Sequence, residues 1–141
     1  MNSLCFPDAN VWLALVSPDH AQREAALAWW ETSEHLIAFC RFTQMGLLRL
    51  LTNASVMNGK PLSLRRAWSV HDALYQDDRV RFLNEPGGIE DLFRAETASP
   101  LASPKVLADA YLLSFAACTG ASLVTFDRAL ARRNRQCLLL S

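Results

Sequence analysis

The 141-residue chain lacks a long apolar run, a paired cysteine motif and an excess of charge of either sign. No apolar stretch approaches the ~20 residues of a membrane-spanning helix, and no basic segment leads into an apolar core at the N-terminus. The four cysteines form no CxxC pair, which argues against structural zinc and favours reduced core thiols. We therefore expect a cytoplasmic protein.

Neither the overall charge nor a phosphate-binding loop points to a nucleotide or nucleic-acid ligand. Basic and acidic residues number 14 each, so the formal net charge is zero. Any affinity for nucleic acid must then come from local basic patches. No GxGxxG or Walker pattern surrounds Pro86-Gly87-Gly88, which we interpret as a turn. The composition, 51% hydrophobic and 20% charged, predicts one globular domain over residues 1–141.

Short apolar runs alternate with helical patterns along the chain. Strands are predicted at residues 4–7, 35–39, 80–83, 121–124 and 137–140. Helices are predicted at residues 10–16, 20–32, 41–51, 64–75, 89–97 and 106–118, with a short one after Asp127 and a loop over residues 98–105. This alternation is typical of a mainly parallel sheet covered by helices on both faces, a three-layer αβα sandwich of the α/β class.

Two of the predicted strands end close to a carboxylate, Asp8 and Asp127, and Asp109 lies near the start of an apolar helix. Ligands of open α/β sheets bind outside the carboxyl ends of the strands. Three carboxylates that meet there repel each other unless a divalent cation neutralises them, and oxygen ligands favour Mg²⁺ or Mn²⁺ over Zn²⁺. Alternatively, Asp8 only caps a helix and Asp109 only interacts with a helix dipole.

Four segments carry a resemblance to a known family. They are Pro7-Asp8-Ala9-Asn10-Val11-Trp12-Leu13, residues 42–53, residues 103–112 and Leu123-Val124-Thr125-Phe126-Asp127-Arg128. Their order and spacing resemble those of the PIN-domain ribonucleases, and within them the VapC-type toxins of toxin–antitoxin pairs. The resemblance covers nearly the whole chain.

The resemblance implies a PIN-like sandwich and a metal-dependent endoribonuclease that leaves a 5′-phosphate and a 3′-hydroxyl. Asp8, Asp109 and Asp127 correspond to the acids that bind Mg²⁺ or Mn²⁺ and carry catalysis. Thr125 corresponds to a hydroxyl residue that supports these acids, and Asn10 to a polar group that contacts the metal ligands rather than the metal. An RNA substrate, a cognate antitoxin and a homodimer are also implied. Candidate RNA-backbone contacts, each alternatively a solvated surface charge, are Arg49, Lys105, Arg128, Arg132, Arg133 and Arg135.

One position departs from the family pattern. Many PIN nucleases have a glutamate in the helix after the second strand where this chain has Gly46, which argues against a four-acid, two-metal site. Gln44 is turned about 200° away on that helix and does not replace the acid. A non-catalytic PIN-like binding module is therefore an alternative. A haloacid-dehalogenase-like phosphatase is another, although that chemistry needs an aspartate where Asn10 stands.

Overall fold

Strands and helices alternate as the sequence predicts. The computed structural model describes residues 3–134 and 136–141. The described strands are β1 (Leu4–Pro7), β2 (Leu36–Phe39), β3 (Val80–Phe82), β4 (Ser122–Thr125) and β5 (Cys137–Leu139). The described helices are α1 (Ala9–Val16), α2 (Arg23–Thr32), α3 (Arg41–Leu51), α4 (Leu64–Leu74), α5 (Ile89–Glu96), α6 (Pro104–Thr119) and α7 (Arg128–Arg133).

The strands form one parallel sheet in the order β3-β2-β1-β4-β5. The chain builds the sheet outwards from β1 to β3 and then crosses over to place β4 on the other side of β1. The strand order therefore reverses between β1 and β4, where Pro7 pairs with Val124. In open α/β sheets the crevice beyond the carboxyl ends of such neighbouring strands is the usual ligand site.

Each strand directs alternate side chains to two separate cores, as the pleat requires. Cys5, Ile37 and Val124 pack with α1 to α4, whereas their chain neighbours pack with α5 to α7 on the opposite face. A stacked ring pair joins each helical layer to the sheet. The ring centroids of Trp12 in α1 and Phe39 in β2 are 3.9 Å apart, and those of Phe115 in α6 and Phe6 in β1 are 4.8 Å apart. The predicted three-layer αβα sandwich is thus confirmed.

The helix that carries Asp109 begins earlier than predicted. The Ser103 side chain caps α6 by accepting the Val106 N–H at 3.2 Å, and Pro104 occupies the first turn, where its missing N–H is not needed. The prediction of a loop through Lys105 and a helix start at residue 106 was therefore wrong. Lys105 is helical, and Asp109 lies in the second turn rather than the first.

Three smaller differences concern element ends and one cysteine. α2 begins at Arg23 rather than residue 20, because the His20 and Arg23 amides bond to carbonyls three residues back, as in turns. β4 runs one residue further than predicted, so Thr125 is its last residue. Cys118 is exposed rather than part of the core, although all four cysteines are free. In the described part of the chain, no helix has the length and apolar character needed to cross a membrane.

Candidate active site

Asp8 and Asp127 follow the two strands at which the strand order reverses. Asp8 comes directly after β1, and its amide donates to the Val124 carbonyl of β4 at 3.0 Å. Each aspartate also caps the helix that it precedes: Asp8 Oδ1 accepts the Val11 N–H at 3.0 Å, and Asp127 Oδ1 accepts the Leu130 N–H at 3.1 Å. The capping interpretation of Asp8 was therefore correct, but capping uses Oδ1 and leaves Oδ2 for other contacts.

The Thr125 hydroxyl connects these two aspartates. It accepts the backbone N–H of Asp127 at 3.0 Å and donates to Asp8 Oδ2 at 2.7 Å. Thr125 itself is buried, and both hydrogen bonds are partly buried at the edge of the pocket described next. The hydroxyl therefore fixes the orientation of one carboxylate and the backbone of the next.

The third aspartate reaches the same place from α6, together with a lysine. Asp109 and Lys105 are one helical turn apart, and the Lys105 ammonium donates to Asp109 Oδ2 at 2.7 Å and to Asp127 Oδ2 at 2.6 Å. A pocket of about 380 Å³ collects these side chains. It is lined by Asp8, Asn10, Gln22, Lys105, Asp109, Thr125, Phe126, Asp127 and Leu130.

The three acids differ in their electrostatic surroundings. Burial raises the pKa of the Asp8 carboxyl, against the hydrogen bonds from Thr125 and Val11, and the charge of Asp109 adds to the rise. The hydrogen bond from Lys105 lowers the pKa of Asp127, and the Leu130 amide lowers it further. The contacts with Asp109 and Asp127 in turn raise the pKa of Lys105. Negative charge at Asp8 is thus costly without a nearby cation, whereas Asp127 already has one.

The donor set fits a hard divalent cation. Carboxylates, a hydroxyl and the Asn10 amide are all oxygen-bearing groups of the type that Mg²⁺ and Mn²⁺ prefer. As the side chains now stand, no three His, Cys, Asp or Glu residues in the described ranges are gathered closely enough to hold a metal. Two of the three acids, Asp109 and Asp127, contact the Lys105 ammonium instead.

Comparison with known proteins identifies the family to which the chain belongs. The family model of the PIN domain matches residues 5–136. The chain is 43% identical over 128 residues to Ribonuclease VapC41 of Mycobacterium tuberculosis, covering 86% of this chain and 88% of that protein. It is 32% identical over 127 residues to Ribonuclease VapC44 of the same organism, covering 88% and 86%.

The chain belongs to the PIN-domain family, within the VapC ribonucleases. A solved structure shares the fold: the crystal structure of Mycobacterium tuberculosis VapC20, described as a toxin that cleaves the sarcin-ricin loop, superposes with a TM-score of 0.67. That match covers 94% of this chain and 95% of VapC20 at 16% identity, so it supports the fold alone. The resemblance inferred from the sequence is confirmed.

The PIN-family glutamate position is closed in this chain. An ideal Cβ on Gly46 would lie 2.8 Å from the Cβ of Ala9, so α3 and α1 approach too closely for a side chain there. Gln44 does not take its place. It is buried beside His71, with its Nε2 3.3 Å from the His71 Nε2, and it accepts from Arg41. The close packing of α1 against α3 in this PIN domain therefore leaves no room for the family's glutamate side chain at this position.

The predicted RNA contacts are dispersed around the acid pocket. Arg49 lines a neighbouring pocket that shares Asn10 with it, and Arg128 lines another that shares Gln22 and Phe126. Arg132 is exposed on α7. The Arg133 side chain and the whole of Arg135 lie outside the described residues. Lys105 contacts two carboxylates inside the acid pocket, and its contact with RNA stays a prediction.

Sequence reasoning missed the contact of Lys105 with the acids, and also Gln22 and Phe126. The Lys105 contact had a local signal, since a lysine four residues before an aspartate on a helix forms an ion pair, and Pro104 marks the helix start. Gln22 and Phe126 had none. They reach the pocket from a turn before α2 and from the end of β4, which only the tertiary fold brings together.

Proposed function

We propose that this chain is a metal-dependent endoribonuclease, the toxin of a type II toxin–antitoxin pair, with Asp8, Asp109 and Asp127 as the catalytic ligands of Mg²⁺ or Mn²⁺. One observation carries the assignment of the site: three carboxylates from distant parts of the chain line one pocket at the point where the strand order reverses. Membership of the VapC ribonucleases supports the choice of RNA as substrate. The free cysteines agree with action in the cytoplasm.

Each residue has a distinct task in this proposal. When bound, a divalent cation supplies an activated water and stabilises the charge that develops on the phosphoryl oxygens. Asp8, whose pKa is raised by burial, and Asp109 would hold the cation, and Asp127 would complete the oxygen set. Thr125 keeps Asp8 and Asp127 in position through its two hydrogen bonds. By analogy with the family, hydrolysis would leave a 5′-phosphate and a 3′-hydroxyl.

The RNA strand follows a groove across the acid pocket. The acid pocket shares Asn10 with a pocket lined by Arg49, and it shares Gln22 and Phe126 with a separate pocket lined by Arg128. Arginines at these positions contact the phosphates that flank the scissile one, and the exposed Arg132 of α7 adds a further positive charge. The earlier candidate Arg133 remains a prediction from the sequence. Phe126 offers an aromatic edge in the same groove for a base.

A cognate antitoxin and a second copy of the chain are the proposed protein partners. The acid pocket already accepts an ammonium group, so a cationic side chain of an antitoxin is a suitable occupant. Apolar side chains remain exposed on α3 and α4 and provide surface for a homodimer; they are Phe42, Met45, Leu64 and Trp68. Mass measurement of the purified chain, alone and with its antitoxin, tests both assemblies.

Cleavage of a structured RNA tests the function directly. We expect wild-type protein to cleave with Mg²⁺ or Mn²⁺ and to stop with EDTA. Asp8→Asn should reduce the rate by about 100-fold or more, because it removes a charged ligand from the site. Asparagine is also a good helix cap, so α1 should persist and thermal unfolding should remain cooperative. Asp91→Asn, an exposed carboxylate of α5, is the matched control and should cleave as wild type.

The competing function is RNA or protein binding without cleavage, which the closed position at Gly46 favours. The same assay separates the two. A protein that binds RNA yet cleaves it neither with Mg²⁺ nor with Mn²⁺ would contradict the nuclease proposal. An Asp8→Asn variant that retains metal-dependent cleavage at the wild-type rate would leave the nuclease function standing but contradict the role of Asp8 as a metal ligand.

A further inference from the structure

Lys105 occupies an unusual place for a surface lysine of a proposed nuclease. Its ammonium lies 2.7 Å from Asp109 Oδ2 and 2.6 Å from Asp127 Oδ2, between two carboxylates proposed to bind metal. We propose that Lys105 is a built-in competitor of the divalent metal, holding Asp109 and Asp127 together in the metal-free protein and leaving when the metal binds. The inference rests on the proposed metal site and adds a residue that regulates it.

The competition follows from the atoms involved. Asp127 uses Oδ1 to cap α7, so the Oδ2 atom that contacts Lys105 is also its available metal ligand. Mg²⁺ coordinates oxygen at about 2.0–2.1 Å, so an ion shared by the two Oδ2 atoms needs the space between them that the ammonium now fills. The two cations would in addition repel each other at this separation.

The lysine is also suited to leaving. Its side chain is 64% exposed, whereas those of Asp109 and Asp127 are 18% and 28% exposed. Exposed ion pairs are individually weak because water competes for both partners, so the contacts can be given up to a divalent ion. A flexible four-carbon stem allows the ammonium to return to water without moving α6. The Asp127 carboxylate, by contrast, is held in place by the Leu130 amide of α7.

Lys105→Met tests the inference through metal affinity rather than activity. Isothermal titration of EDTA-stripped protein with Mn²⁺ should show tighter binding by the variant, roughly 2- to 30-fold, which is the effect of removing two exposed ion pairs that the metal must break. Lys60→Met is the matched control, since Lys60 is the other lysine of the chain and is exposed in a loop outside the acid pocket. It removes the same unit of charge and should bind Mn²⁺ as wild type does.

Thermal unfolding supplies a second readout. Without metal, Lys105→Met should unfold at a lower temperature than wild type, because the repulsion between the Asp109 and Asp127 carboxylates is then no longer offset by the Lys105 ammonium. Saturating Mn²⁺ should therefore raise the unfolding temperature of the variant by more than that of wild type. Lys105→Arg keeps a cation with a planar fork that grips carboxylates, so it should show no tightening of Mn²⁺ binding.

The outcomes distinguish this inference from the proposed function. Unchanged or weaker Mn²⁺ binding by Lys105→Met, with clear binding by wild type, would overturn the competition and leave the metal-dependent nuclease intact. Absence of Mn²⁺ binding by both proteins would overturn the competition and the proposed metal site together. Binding by the variant alone would support the competition in its strongest form.

Discussion

Gly46→Ala should destabilise this protein, although the same substitution in most helices has the opposite effect. Gly46 lies inside α3, where alanine is intrinsically preferred over glycine by about 1 kcal/mol. Here the new Cβ would lie 2.8 Å from the Ala9 Cβ, roughly 1 Å inside an ordinary carbon–carbon contact. Neither atom is the end of a flexible side chain, so α1 and α3 must move apart.

The size of the effect follows from setting the two contributions against each other. Inserting a methyl group into a well-packed contact costs about 1–3 kcal/mol, and an approach this short belongs at the upper end. Subtracting the helix-propensity gain of about 1 kcal/mol leaves an expected net loss of about 1–2 kcal/mol in the free energy of unfolding. The neighbouring core side chains Trp12 and Leu47 are fully buried, which limits local relaxation.

Urea unfolding of a double-mutant cycle measures this collision directly. Ala9→Gly removes the opposing methyl at the first residue of α1, so the Ala9→Gly/Gly46→Ala pair should recover most of the stability that Gly46→Ala loses. The coupling free energy should be about 1–2 kcal/mol, as expected for residues in contact. A Gly46→Ala variant that is more stable than wild type by about 1 kcal/mol would refute the reasoning, since propensity alone would then decide the outcome.

Two further predictions concern the acid pocket and the opposite edge of the sheet. Thr125→Val removes the buried hydroxyl that links Asp8 to Asp127 and should lower the free energy of unfolding by about 1–3 kcal/mol and slow RNA cleavage, whereas Thr125→Ser should retain both; equal behaviour of the two variants would contradict the linking role. Arg79 lowers the pKa of Asp77 through its hydrogen bonds, so the stability from this pair is present above the unfolded pKa near 3.8 and is lost as pH falls through the lowered folded value. Asp77→Asn should therefore destabilise at pH 7 but approach wild type in acid unfolding near pH 2, and a constant difference across that range would argue against an ionic origin.

Most of the fold could be predicted because its signals are local. Apolar runs of four or five residues between amphipathic segments fixed the strands to within a residue or two, and their alternation indicated a parallel sheet. The strand order was not accessible in this way. The adjacency of β1 and β4 joins Pro7 to Val124, 117 residues later in the chain, and no local pattern specifies such a pairing.

The residues of the candidate site likewise divide into those with a local sequence signal and those that only the tertiary structure places there. Asp8 and Asp127 were identifiable because they closely follow apolar strands, a position that itself has functional meaning. Thr125 was identified only through the resemblance to the PIN-domain family. Because α6 was predicted to start at residue 106, two residues after its observed start at Pro104, Lys105 was left outside the helix and its ion pairs with Asp109 and Asp127 were missed. The closeness of Gly46 to Ala9 was likewise invisible, since it reflects how two helices cross rather than what either contains.

The two interpretations of the aspartates, helix cap and metal ligand, turn out to be compatible because a carboxylate has two oxygens. Asp8 and Asp127 each give Oδ1 to a helix and turn Oδ2 towards Thr125 or Lys105. Replacing either one with a residue that cannot cap a helix therefore perturbs folding and the site at once. Asp109 lies in the second turn of α6, beyond the capping positions, so its carboxylate is available to the pocket. Among the three acids, Asp109 is thus the one whose substitution should change metal binding and cleavage with the smallest accompanying loss of folding stability.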